Sequence, residues 1–216
     1  MANLLRIPVS RRGSDSYSLE LLNSFTESFC RQHPGVSVID RDPFLIPHLD
    51  LFELQAGRTS PEDFTPELAE AFELADELTD ELLKASAVVI ATPMFNWGPP
   101  SALKAWIDRI INKRTFYRDT PALAGLPVTA IIASGGTYTS EAMKQHDNLR
   151  PLLRECFSRI GTDDLIFVDC ELTGAIDRGA VERHDPASGL SLALGEIDAA
   201  AARIGSAAAA SELATG

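Results

Sequence analysis

The sequence predicts one α/β domain built on a doubly wound, five-stranded parallel sheet in the order 2-1-3-4-5, with helices on both faces. Three apolar, β-branched runs at 87–91, 128–133 and 165–168 show no alternation with polar residues. Parallel strands covered on both faces read this way. Weaker strand candidates stand at 4–9 and 36–39, and segments of helical period fill the gaps between strands. Strand and helix alternate about five times, and right-handed crossovers then leave few topologies.

The elements follow in order. The first strand is the least regular, because Arg6 and Pro8 interrupt it and a proline removes a ladder donor. Leu19, Leu22, Phe25 and Phe29 then line one face of a helix that begins near Ser16 or Ser18. After the second strand, residues 41–60 are rich in Pro, Asp and Gly. They are long for a connection and read as either a functional flap or a surface excursion.

A second long helix carries Leu68, Phe72, Ala75, Leu78 and Leu82, with Thr65 as N-cap and Pro66 in its first position. Leu103, Trp106, Ile107, Ile110 and Ile111 form a third stripe, starting after Pro99 and Pro100. A fourth runs through Leu149, Leu152, Leu153 and Phe157 to a stop at Gly161, and a fifth from about Leu190 to Ile204. Residues 1–205 therefore make a single domain. The small, polar remainder, 206–216, is expected to be a flexible tail.

Composition narrows the function. Of 216 residues, 45% are apolar and 23% charged, as in a soluble globular protein. Asp and Glu outnumber Lys and Arg, 31 to 19, for a net charge of −12. That balance argues against nucleic-acid and anionic-membrane partners. Cys30, Cys156 and Cys170 are too few and too irregularly spaced for a disulfide framework or a zinc site, and read as small buried hydrophobes. The first dozen residues lack a sustained apolar stretch, and no apolar run is long enough to cross a bilayer. A cytoplasmic location is expected.

In such a sheet, ligands sit beyond the carboxyl ends of the strands, where the winding direction switches. Three loops there are unusual. The first carries Ser10, Arg11, Arg12, Gly13, Ser16, Tyr17 and Ser18 ahead of a helix. Hydroxyls, main-chain N–H groups and a helix N-terminus suit a phosphate, with Arg11 or Arg12 to neutralise it. The same residues also fit a polar loop with an ordinary serine cap. The P-loop and dinucleotide-fold glycine patterns are absent here, and so is the cysteine a tyrosine phosphatase needs.

The second loop, Met94, Phe95, Asn96 and Trp97 between Pro93 and Pro99, sets bulky groups where a turn is expected. They suit either a flat heterocycle, with Asn96 on its edge, or packing of the loop itself. The third loop pairs Gly135 and Gly136 after Ser134. Paired glycines admit close main-chain approach to a ligand, or simply make a tight turn.

At this point a resemblance enters. The block from Pro93 through Asn96, Trp97, Pro100, Leu103 and Lys104 to Asp108 is similar to the signature of the FMN-dependent NADH-azoreductases, also known as NADH:quinone oxidoreductases. Ser10, Ser16 and Ser18 match that family's phosphate loop, and Thr115–Phe116 its following element. The resemblance covers the chain to about Ile204 and implies a flavodoxin-like homodimer with the active site shared by both chains. It implies Ser10, Ser16, Tyr17 and Ser18 at the FMN phosphate, and Met94, Phe95, Asn96 and Trp97 on the isoalloxazine. It further implies Ser134, Gly135 and Gly136 at the pyrimidine edge, and Phe116 in the substrate wall.

The implied reaction is ping-pong: NADH or NADPH passes hydride to flavin N5, and a quinone or azo compound is then reduced in the same pocket. No side-chain nucleophile is needed, and His146 and His184 read as surface residues. Two positions depart from the family pattern. Ser134 stands where Arg is common, and Arg159 where an aromatic is common. Arg159 is expected in the substrate pocket, attracting an anionic group such as a sulfonate or a nicotinamide 2′-phosphate. The alternatives are a flavodoxin-type electron carrier without nicotinamide turnover, a flavin reductase for nitro compounds or metal ions, and a fold relative that has lost its flavin.

Overall fold

The structure, a computed structural model, describes residues 3–116, 121–162 and 164–215, with only the helical backbone described for 205–215. Five parallel strands form one sheet: β1 (Asn3–Pro8), β2 (Ser37–Asp40), β3 (Ala87–Pro93), β4 (Val128–Ala133) and β5 (Leu165–Cys170). Their order is β2-β1-β3-β4-β5, as the alternation predicts. The central pair β3 and β4 is buried along almost its whole length, which is why neither run alternates.

Among the described residues, five α-helices lie between strands, α1 (Tyr17–Gln32), α2 (Leu51–Ala56), α3 (Pro66–Lys84), α4 (Ser101–Ile110) and α5 (Leu149–Arg159), and two follow β5, α6 (Thr173–Asp177) and α7 (Gly189–Thr215). The period-2 geometry of a strand divides its side chains between two cores. Val88 and Ile90 of β3 face α3, α4 and α5, where Leu82, Trp106 and Phe157 are buried. Ala87, Val89 and Ala91 face α1 and α7, where Phe25, Phe29, Ile197 and Ala201 are buried.

Pro8 costs the sheet little. Val9 donates its amide to Ala91 O on β3 at 2.8 Å. Residue 8 therefore faces the other side, where β2 has already ended opposite Arg6. The missing donor falls beyond the last partner.

Caps stand where the residue types predict. Ser16 Oγ accepts from the Leu19 amide, and Thr65 Oγ1 from the Leu68 amide with Pro66 at N1. Gly161, at φ +103, turns the chain after α5, where a Cβ would lie 2.4 Å from Pro121 Cβ. The sequence pattern predicts that the last helix ends near Ile204, but α7 continues to Thr215. Alanine has the highest helix propensity, and 207–210 are all alanine.

The 41–60 stretch is anchored rather than loose. It contains α2, whose Asp50–Glu53 capping box is complete. Arg109 of α4, fully buried, donates to Glu53 and to Pro47 O at 2.6 Å. These bonds pin the stretch against the sheet's outer helices.

Candidate functional site

The loops following β1, β3 and β4 meet at the carboxyl edge of the sheet around a cavity of about 410 Å³. The switch in winding between β1 and β3 opens this crevice. Ser10, Tyr17, Ser18, Met94, Phe95 and Gly135 all line it. Ser16 lies directly behind, its hydroxyl 3.2 Å from that of Ser18. The 16-residue α1 points its N-terminus at this wall, supplying partial positive charge and main-chain donors.

The two arginines of the first loop are already engaged. Arg12 forms a two-pronged pair with Asp177 of α6, at 3.1 and 3.2 Å. Arg11 pairs with Asp42 at 3.1 Å and stacks on Phe44, which also lines the cavity. Tyr17 donates its hydroxyl to Asp177 at 2.7 Å and lies against the guanidiniums of Arg12 and Arg183. Burial first, then the Asp177 hydrogen bond, push the Tyr17 phenol up to about 12. Arg12 first, then Tyr17, hold the Asp177 carboxyl below its usual range.

The second loop is a tight reversal. Phe95 N donates to Gly98 O at 3.0 Å, and Gly98 N to Phe95 O at 2.9 Å. Its two central residues have positive φ, +48 at Asn96 and +65 at Trp97. Asn tolerates this conformation, but Trp pays no such discount and is strained by about 1 kcal/mol or more. Strain of this kind persists at sites where the surrounding structure dictates the loop. Phe95 and Trp97 stay more than half exposed. Asn96 does not reach the first cavity; it lines an adjoining hollow of about 760 Å³ with His48, Pro99 and Lys104.

In the third loop Ser134 is buried, and its hydroxyl donates to Gly136 O at 2.9 Å. The loop rests on Glu171, whose carboxylate accepts from Thr137 Oγ1 at 2.6 Å, Thr139 N at 2.9 Å, Thr139 Oγ1 at 2.8 Å, and the Tyr138 amide. Burial alone would raise the Glu171 carboxyl, but these donors together bring it below its usual value. Beneath lies Arg150, joined to Asp147 at 2.7 Å and to Asp169.

Phe116 and Arg159 do not join this site within one chain. Phe116 packs beside the sheet core, beyond the end of α4, and Arg159 ends α5. Both helices are crossovers that run back to the amino edge of the sheet, opposite the three loops. Arg159 is exposed and pairs with Glu155 at 2.7 Å. His146 is exposed, and His184 sits on the surface 3.8 Å from Glu20.

Phe44, Thr173 and Asp177 complete the cavity wall and were missed by sequence reasoning. Asp177 carries no local signal, since its partners lie 160 and 165 residues away. Phe44 had one, as an aromatic beside Pro43 in an overlong connection.

Fold and site together define a flavodoxin-like protein. Residues 2–187 match the Flavodoxin_2 family model, of flavodoxin-like fold. The FMN-dependent NADH:quinone oxidoreductase of Parafrankia sp. (strain EAN1pec) is 35% identical over 179 residues, covering 80% of this chain and 85% of that protein. The FMN-dependent NADH:quinone oxidoreductase of Nostoc sp. (strain PCC 7120) is 38% identical over 182 residues, covering 79% and 87%. The chain belongs to the FMN-dependent NADH:quinone oxidoreductase family. An FMN-dependent NADH-azoreductase from Bacillus anthracis, solved in complex with FMN, shares the fold at a TM-score of 0.79 and 24% identity, covering 94% of this chain and 99% of that one.

Proposed function

We propose that the chain binds FMN in the three-loop cavity and uses NADH or NADPH to reduce quinones and cleave azo compounds, as a cytoplasmic homodimer. The observation that carries this reading is the convergence of Ser10, Ser18, Met94, Phe95 and Gly135 on one cavity of about 410 Å³. That volume is within the range of small-molecule and cofactor sites. The donor set suits the group: hydroxyls and a helix N-terminus for a phosphate, apolar side chains for a flat ring. When bound, FMN supplies two-electron redox chemistry, so the chain needs no nucleophile of its own.

Ser10, Ser16 and Ser18 would hold the phosphate, with Tyr17 contributing its main-chain N–H, since its hydroxyl is committed to Asp177. Met94 and Phe95 would position the ring from the cavity wall, Asn96 from the adjoining hollow, and Trp97 as their neighbour in the same turn. Main-chain N–H groups at Gly135 and Gly136 would stabilise negative charge gathering at the pyrimidine edge, with Ser134, whose own N–H donates to Cys170 O at 2.9 Å, holding that loop from behind. Donor and acceptor would take turns on the side bordered by Phe44 and Phe95.

The homodimer reading is supported by exposed apolar side chains at Phe44, Leu45, Leu51, Phe52, Leu54, Phe95 and Trp97, of which Phe44 and Phe95 border the cavity. In that assembly Phe116 and Arg159 would wall the substrate pocket of the partner subunit. The free thiols of Cys30, Cys156 and Cys170 fit a reducing cytoplasm. No helix among the described residues is long and apolar enough to cross a membrane.

Purified protein is expected to be yellow, to release FMN on denaturation, and to oxidise NADH when a quinone or an azo dye is supplied. Bound FMN with negligible NADH oxidation would make it an electron carrier instead. Colourless protein that takes up no added FMN would overturn the reading. For Arg159, unchanged Michaelis constants for NADH, NADPH and an acidic dye in Arg159→Ala would remove it from the pocket.

A further inference from the structure

The seven residues after β5 touch two of the three loops at once. Toward the glycine loop, Glu171 collects the four hydrogen bonds described above, at 15% side-chain exposure. The main chain adds a zipper. Leu172 N donates to Gly136 O at 3.2 Å, Thr173 N to Ser134 O at 3.0 Å, and Gly174 N to Gly135 O at 3.3 Å. Thr173 Oγ1 also donates to Ser134 O at 3.1 Å. The approach is close enough that a Cβ on Gly174 would lie 2.9 Å from Gly135 O.

Toward the phosphate loop, Asp177 accepts both prongs of Arg12 and the Tyr17 hydroxyl. The i, i+4 spacing of Thr173 and Asp177 puts them on one face of α6, and both line the cavity.

A carboxylate beside a phosphate subsite is unfavourable by charge alone. Asp177 escapes this objection only if what it holds matters more than the field it adds. It holds Arg12 and Tyr17, which flank Ser10, Ser16 and Ser18 in the sequence of the same loop.

We infer that the segment 171–177 is a clasp joining the two cofactor loops, with Asp177 positioning the phosphate loop and Glu171 positioning the glycine loop. The inference rests on FMN as the occupant of the cavity. Its two ends then act on different parts of one ligand. Loss of the Asp177 end loosens the grip on the phosphate, while loss of the Glu171 end loosens the grip on the ring.

FMN and riboflavin differ by the phosphate, so they separate the two ends. Flavin-free protein is titrated with each, following flavin fluorescence. Asp177→Asn is expected to weaken FMN about tenfold and leave riboflavin within about twofold, the scale of a lost charge-assisted hydrogen bond. Tyr17→Phe, which keeps the side chain's bulk, should show the same selectivity at about threefold. Glu171→Gln should weaken both flavins by a common factor of about ten, because it acts on the ring.

Parallel weakening of both flavins in Asp177→Asn and Tyr17→Phe would indicate general loosening and overturn the clasp. So would unchanged or tighter FMN binding in Asp177→Asn, or unchanged binding of both flavins in Glu171→Gln. Wild-type protein that binds neither flavin would overturn the FMN reading itself, and the clasp with it.

Discussion

Trp97 offers a direct test of strain at the site. It occupies φ +65 in the 95–98 reversal, a conformation that glycine adopts freely and a Cβ-bearing residue does not. Trp97→Gly and Trp97→Ala delete the same exposed ring, which is 56% accessible, and differ only in the Cβ. The left-handed region costs a Cβ-bearing residue about 1–2 kcal/mol, and glycine's greater freedom in the unfolded chain returns about 0.5–1 kcal/mol of that. The glycine variant should therefore be the more stable of the two by about 0.5–1 kcal/mol. In a chain of this length that is roughly 1–4 °C in midpoint. Thermal unfolding of the flavin-free proteins, followed by circular dichroism, reads this difference without interference from cofactor. Both variants should lose flavin affinity, because neither offers the ring. An alanine variant as stable as the glycine variant, or more so, would show that the turn relaxes out of the left-handed region. The claim of strain would then fail.

The remaining predictions concern the supports of the site. Arg109→Met strands Glu53 and the Pro47 carbonyl at a buried position; a loss of about 3 kcal/mol is expected from chemical denaturation. Adding Glu53→Gln should recover part of it, and no recovery would mean that the cost is packing. Gly189→Ala would bring a Cβ to 1.8 Å from Glu171 O, so the main chain must move, at a cost of about 2 kcal/mol or more in the same assay. The Tyr17 phenol is raised from 10.0 to about 12 in the folded state. Its contribution is complete below pH 10 and lost as pH rises from 10 toward about 12. Tyr17→Phe should remove that alkaline loss from the pH profile of unfolding. The Asp177 carboxyl is lowered from 3.8, so its contribution is present above that value and lost as pH falls below it. Asp177→Asn should flatten that acid limb.

Much of the fold is local in origin and was legible. The 128–133 run predicts a doubly covered strand because each of its side chains meets a helix, and all six residues are buried. Thr65 with Pro66 predicts a helix start because the hydroxyl and the missing N–H both act within one turn. Pro8 looked like a defect in a central strand. Only the early end of β2 explains why it is tolerated. The extent of α7 was underestimated, because small residues read as a tail although alanine favours helix.

For the site, the sequence by itself determined which loops border the cavity. Ser10, Met94, Phe95 and Gly135 follow directly on strand ends and Ser18 stands in the first turn of the helix after β1, and topology alone sends such residues to one edge. The tertiary structure decided what those loops are held by. Asp177 grips Arg12 and Tyr17, Glu171 underpins the glycine loop, and Phe44 closes a wall from the 41–60 stretch. It also decided where Phe116 and Arg159 lie, since a crossover helix carries its last turn to the opposite edge of the sheet. The physical reason is the same throughout: pattern and capping act over a few residues, whereas a hydrogen bond between positions 12 and 177 exists only after the sheet has formed.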